Sequence, residues 1–236
     1  RQAFYEMRNL TNKNHIHHFD IFNPLTKENQ IDLLSEVSLD DLKDYVSTLY
    51  KEVAIEGVAY GSFDKSTVLE TVELYTTSLG KNFIPKDKRP REQVVKLPEG
   101  KPLASLKHSL TNNNAWGAAI QFGSRDETLN AILRIGHAYL ESSFYTELRT
   151  KQQLGYIVFS GLDYHEKVLG LIFMVQSSKY TPFDIANRAR EWMQMSIGKL
   201  EQMSDKDFDT YRDSVVKELQ EKDKTLADKL HTLFFE

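Results

Sequence analysis

The 236-residue chain carries 30 basic and 34 acidic side chains, for a formal net charge of −4, and its length suits two modest domains that each bury a core. Its charge offers none of the concentrated basic surface that nucleic-acid binding requires, and no apolar run approaches the ~20 residues of a membrane-spanning helix. Zero cysteines exclude disulfides and thiolate metal sites but leave the compartment open, because cysteine-free chains suit cytoplasm and periplasm equally.

The first third of the chain predicts a helix, a strand and a second helix. Ser38, with Asp41 three residues later, forms an N-cap signature ahead of apolar residues at helical spacing. Residues 54–63 alternate in polarity and end at a turn signal, which predicts a strand. Asp64 can cap the next helix, and Gly80 can end it. One strand cannot make a sheet, so we expect this region to be the tail of an α+β unit.

The composition changes at residues 81–91, where two prolines lie within a cluster of charged side chains. This pattern is typical of a solvated linker, and a basic patch for an acidic partner is the alternative. We therefore expect one domain to end before this segment and another to begin after it.

Strand signals resume after the linker. Three candidates, at residues 93–97, 103–110 and 115–122, are separated by turn signals and favour an antiparallel meander. Residues 126–148 then place apolar side chains on one face of a long helix.

The rest of the chain repeats this order of strands and then helices. Strands are predicted at residues 156–162 and 168–176, and the second is so continuously apolar that we expect it to be central in its sheet. Further helices begin at Thr181-Pro182 and at Ser204. The pattern predicts an α+β fold in which helices are layered on one face of antiparallel sheets.

The histidines prompt a search for a metal site, because His15, His17 and His18 fall within four residues. On a strand, His15 and His17 would share a face, but no carboxylate stands at helical spacing to complete a zinc site. No His-x-x-Glu-His or His-Glu-x-x-His run occurs in the sequence. Nucleophile-elbow, phosphate-loop and dinucleotide motifs are missing too. We therefore predict no metal site and no cofactor in this chain.

Residues 149–156, Arg-Thr-Lys-Gln-Gln-Leu-Gly-Tyr, carry the candidate chemistry. Arg149 is a fixed cation and Tyr156 is a neutral donor, the pair of groups that grips a peptide carbonyl and stabilises the oxyanion formed on attack. On composition alone a structural interpretation is favoured, with Arg149 as a cation at a helix C-terminus and Tyr156 as a strand aromatic whose hydroxyl is satisfied.

Together with its flanks, residues 144–161, this run closely resembles the C-terminal half of the pitrilysin and insulin-degrading-enzyme family of zinc metallopeptidases. The pattern Leu-Arg-Thr-x-x-Gln-Leu-Gly-Tyr is intact at residues 148–156. The resemblance implies metallopeptidase (LuxS/insulinase-like) domains. Residues 1–84 would be the C-terminal part of the third domain, 85–91 a linker, and 92–236 the fourth domain, truncated at its C-terminus.

The resemblance also implies a function and partners. In the family, this Arg and Tyr extend from the non-catalytic half across a closed chamber to a zinc site in the other half. Tyr156 would then stabilise the oxyanion and Arg149 would position the substrate, while zinc would lie in the N-terminal catalytic half of the same polypeptide. The implied partners are that half and peptide substrates, and this chain alone would be inactive. We also expect it to self-associate through apolar surface that the parent buries.

Two other classes of function stay open. One is a catalytically inactive structural subunit, because core proteins of a respiratory complex share this general fold without being peptidases. The other is a free-standing module that binds peptides. Arg149 and Tyr156 argue against the structural subunit, and the presence or absence of His-x-x-Glu-His in the parent sequence would decide.

Overall fold

The computed structural model describes residues 16–17, 27–79, 82–89, 93–94, 96–100, 104, 112–124, 126–165 and 168–235. The strands in this part are β1 Ile16–His17, β2 Gln93–Val94, β3 Asn114–Ser124, β4 Ile157–His165 and β5 Val168–Ser177. The α-helices are α1 Lys27–Glu36, α2 Leu39–Leu49, α3 Lys65–Ser78, α4 Glu127–Phe144, α5 Pro182–Glu201, α6 Asp205–Gln220 and α7 Leu226–Phe235. A 3₁₀ turn at Lys86–Lys88 and a π-helical turn at Tyr145–Lys151 complete them.

The chain divides into two compact units. The sheet unit comprises Arg1–Pro24 and Glu92–Gln220, and the helical unit comprises Leu25–Arg91 and Glu221–Glu236. The assignment of residues 1–84 and 92–236 to a third and a fourth family domain stays a prediction. None of the described helices is long and apolar enough to cross a membrane.

The sheet unit is built on an antiparallel sheet of three strands in the order β3-β5-β4. This confirms the central position predicted for the apolar strand, whose Phe173 lies opposite Ala118 on one side and Ser160 on the other. The expected meander is not seen in the described part of the chain. There β2 pairs with β1, β3 pairs with β5, and residues 103–110 lie outside the described residues except for Ala104.

Helices pack on one face of this sheet, as predicted. Phe144 from the end of α4 and Trp192 from α5 meet Phe173 of β5, with ring centroids 4.7–5.5 Å apart. The indole Nε1 of Trp192 donates to Ser143 Oγ at 2.8 Å, so its one polar atom is satisfied within the core. Thr181 caps α5 in a capping box, with Pro182 at its first turn. The fold is therefore α+β.

In the helical unit the N-cap predicted for α2 is present and forms a capping box, since Ser38 Oγ accepts from Asp41 N–H and the Asp41 carboxylate accepts from Ser38 N–H. The prediction of a strand at residues 54–63 is wrong, because these residues form no strand. Only Val53, just before it, forms a bridge, with Phe83. Alternating polarity shows which side chains share a face, but a strand also needs a neighbour to pair its N–H and C=O groups.

Two helices of this unit were not predicted, α1 and α7. The start of α7 carries a signal that could have been found, because Thr225 N–H donates to the Asp228 carboxylate and Asp228 N–H donates to Thr225 Oγ1. Helix α3 ends at Ser78, and Gly80 lies outside the described residues. Neither α2 nor α3 has a buried residue, so the apolar stripe of α2 is exposed.

Candidate functional site

The site lies where α4 ends. The helix continues as the π-helical turn Tyr145–Lys151, a wider backbone form that is common at functional sites. Gln152 N–H donates to Glu147 O at 3.0 Å and Leu154 N–H donates to Leu148 O at 2.9 Å. Between them Gln153 has φ of +51°, the left-handed conformation that ends many helices. The chain therefore reverses within a few residues of Arg149.

Two features hold the segment that follows. Leu154 is buried together with Leu148. At Gly155 an added Cβ would lie 1.7 Å from Gln176 O at the end of β5. Only glycine lets the backbone approach that closely. Ile157, two residues after Gly155, pairs with Gln176 in the sheet. The backbone is therefore held on both sides of Tyr156.

The turn brings the two predicted residues together. The Cζ atom of Arg149 lies 5.9 Å from the centroid of the Tyr156 ring, near the outer limit of a cation–π contact. Tyr156 is 86% exposed, whereas Arg149 is half-buried. The described residues supply no hydrogen-bond partner for the Tyr156 hydroxyl. The Tyr156 hydroxyl, beside the Arg149 guanidinium, is thus available to donate a hydrogen bond to a group outside the described residues. The catalytic roles of Tyr156 and Arg149 stay predictions.

A cluster of charged and polar side chains supports the π-helical turn. Glu147 accepts from Lys151 Nζ at 2.9 Å and from Gln152 Nε2 at 3.3 Å. The lysine and then the amide hold the pKa of the Glu147 carboxyl below its usual value, so this carboxylate is an anionic support. The other end of the Gln152 amide accepts from Arg188 of α5 at 3.1 Å. None of these supporting residues was predicted. The i,i+4 spacing of Glu147 and Lys151 is a signal that could have pointed to their ion pair, but no local pattern in the sequence points to Arg188.

The described residues offer no group of three or more His, Cys, Asp or Glu side chains that could hold a metal ion. His17 lies in β1, while His15 and His18 are outside the described residues.

The chain is similar to known proteins over most of its length. The family model for the PQQ synthase PqqF-like C-terminal lobe domain 4 matches residues 135–234. A nardilysin-like protein of Arabidopsis thaliana is 28% identical over 213 residues, which are 88% of this chain and 21% of that protein. The human (Homo sapiens) insulin-degrading enzyme is 26% identical over 207 residues, 86% of this chain and 20% of that enzyme.

The solved structure of pitrilysin matches this chain with a TM-score of 0.73 at 18% sequence identity. The match covers 97% of this chain and 23% of the pitrilysin chain. This likeness shows a pitrilysin-like fold. The chain spans about a fifth of the length of the curated relatives it matches. Together, the family model, the relatives and the fold show that this chain is similar to the C-terminal region of insulinase and pitrilysin family proteins.

Proposed function

We propose that the chain is the non-catalytic C-terminal half of a zinc-dependent metalloendopeptidase and supplies substrate-binding and oxyanion-stabilising residues to a zinc site in the N-terminal half of the same polypeptide. The observation that carries the proposal is the exposed phenol of Tyr156 beside the Arg149 guanidinium on a fixed turn. A relative from Schizosaccharomyces pombe, 24% identical over 200 residues, is named a putative zinc protease.

The chemistry assigned to these residues is electrostatic. The Tyr156 hydroxyl donates a hydrogen bond to the oxygen on which negative charge develops when a peptide carbonyl is attacked, while the Arg149 cation positions the substrate backbone. A donor fixed in advance stabilises the transition state without reorganising, and a chamber that excludes water strengthens both interactions. Zinc, held by the N-terminal half, would supply the attacking water.

Tyr156→Phe in the full-length protein tests the oxyanion role. Because this hydrogen bond strengthens only as the oxyanion forms, kcat should fall by ~10²-fold while KM changes little. Arg149→Ala should affect both kcat and KM, since a cation that holds the substrate acts in the ground and transition states alike. A quenched fluorescent peptide gives the kinetics, and elemental analysis shows whether zinc is retained.

Tyr145→Phe is the matched control. Tyr145 is also an exposed tyrosine and opens the same π-helical turn, so its replacement should leave kcat unchanged. Wild-type turnover in Tyr156→Phe with zinc bound would show that the proposed role is wrong.

The 236-residue chain on its own should neither bind stoichiometric zinc nor cleave peptides. Elemental analysis and a chelator-sensitive cleavage assay measure both properties. One tightly held zinc with chelator-sensitive cleavage would contradict the proposal that the zinc site lies in the N-terminal half. The His15–His18 cluster would then be the first candidate for the zinc ligands. A full-length protein without zinc would instead support an inactive structural or peptide-binding subunit.

A further inference from the structure

We propose that Gln152, held between Arg188 and Glu147, is a positioning residue that fixes the turn from which Tyr156 projects. The inference rests on the proposed function and deepens it, because it names the residues that set the direction of the oxyanion donor.

Both ends of the Gln152 amide are engaged. Its Oε1 accepts from Arg188 NH1 at 3.1 Å, and its Nε2 donates to Glu147 Oε1 at 3.3 Å. Its backbone N–H donates to Glu147 O at 3.0 Å. Gln152 is thus tied to the π-helical turn on one side and to α5, 36 residues further along the chain, on the other.

Arg188 is itself well held. Its guanidinium carbon lies 4.7 Å from the centroid of the Tyr180 ring. Tyr180 is fixed through its backbone, since its N–H donates to Ser177 Oγ at 3.0 Å and its carbonyl accepts from Asn114 Nδ2 at 3.0 Å. Ser177 is buried at the end of β5. The chain of contacts therefore connects Gln152 to the central sheet.

The turn needs such a support because of the residue that follows. Gln153 has φ of +51°, a conformation that costs a residue with a side chain ~1–2 kcal/mol. Such backbone geometry persists only where the surroundings determine it. The Tyr156 side chain is 86% exposed and lies near the Arg149 guanidinium, so its direction follows largely from the backbone of the turn. Loosening Gln152 should therefore misplace the Tyr156 hydroxyl.

Gln152→Met in the full-length protein removes both side-chain hydrogen bonds at nearly constant size. We expect kcat to fall by about 10-fold to 100-fold with KM and zinc content unchanged, because a misplacement of ~1 Å costs up to ~10²-fold in rate. Gln194→Met is the matched control, since Gln194 is exposed on α5 and should leave kcat unaltered.

A double-mutant cycle separates positioning from general stability. If Gln152 acts through Tyr156, Gln152→Met should cause no further loss of kcat in a Tyr156→Phe background. A merely structural role would give losses that multiply.

A charge exchange offers a rescue. Gln152→Glu alone places a second carboxylate beside Glu147 and should lose activity. Adding Glu147→Gln lets the new amide donate to the new carboxylate, which still accepts from Arg188, so most of the lost kcat should return.

Wild-type kcat in Gln152→Met, multiplying losses in the cycle, or no rescue by the exchange would each overturn the positioning role and leave the role of Tyr156 standing. Wild-type kcat in Tyr156→Phe would instead overturn the proposed function, and this inference with it.

Discussion

Gly155→Ala tests how the turn before Tyr156 is built. The added Cβ would lie 1.7 Å from Gln176 O and 2.7 Å from the carbonyl carbon of the same residue. An ordinary carbon-to-oxygen contact is about 3.3 Å, so the two backbones must separate by about 1.6 Å. Gln176 cannot move freely, because β5 is paired on both sides at this position.

The cost follows from that displacement. Overpacking of this kind destabilises by about 1–3 kcal/mol, and a clash between two backbones belongs at the upper end of the range. Tyr156 is the next residue and would be carried along. A shift of more than ~1 Å should lower kcat of the full-length protein by about 10²-fold.

Urea denaturation followed by tryptophan fluorescence measures the stability of the sheet unit selectively. The chain has 2 tryptophans, and both Trp116 and Trp192 belong to this unit. Peptide cleavage by the full-length protein gives kcat.

Two glycines serve as controls. Gly170→Ala meets Ile120 O at 2.7 Å, a milder clash near the other end of β5, and should destabilise the sheet unit less while sparing kcat. Gly198→Ala in α5 meets nothing within 4 Å and should stabilise by about 1 kcal/mol, because alanine favours the helix. A wild-type urea midpoint in Gly155→Ala would refute the close approach. Equal kcat losses in Gly155→Ala and Gly170→Ala would refute the positioning of Tyr156 by this turn.

Three further predictions concern the turn and the helical unit. The Thr67 N–H and then the Ser66 hydroxyl lower the pKa of Asp64 from 3.8 to about 2, so its stabilisation of α3 should be complete above pH ~4 and be lost as the pH falls towards 2. Circular dichroism should show a loss of helix over this pH range, and Asp64→Asn, which caps without titrating, should lose less helix than the wild type. Gln153→Gly should raise the urea-derived stability of the sheet unit by about 1 kcal/mol, because glycine adopts positive φ without strain. The chain should self-associate in light scattering through the exposed stripe of α2, and Leu42→Lys should weaken the association.

Each of these has a contradicting result. An identical acid transition in Asp64→Asn would show that the cap does not titrate as described. A lower stability of Gln153→Gly would show that the left-handed conformation is not strained. A monodisperse monomer at high concentration, without binding of a dye to apolar surface, would contradict self-association.

Helices α2 to α6 and the central strand could be predicted because their signals are local. The capping box of Ser38 and Asp41 needs only the spacing of those two residues, and Pro182 favours the first turn of a helix whatever surrounds it. The continuous apolar run of β5 predicts by itself that the strand is buried. Residues 54–63 had an equally regular pattern and form no strand, because strand formation depends on a partner that a local pattern does not specify.

The sequence by itself determined which side chains are available to the site: Arg149 and Tyr156, in a run of residues that resembles a known family. Only the tertiary structure decided that they lie side by side. Their proximity depends on a π-helical turn, on a left-handed Gln153 where glycine would be the usual residue, and on the contact of Gly155 with Gln176. The support from Arg188 likewise comes from a distant helix. Such contacts form when long-range packing outweighs local preference, and that balance is settled by the whole fold rather than by any short stretch of the chain.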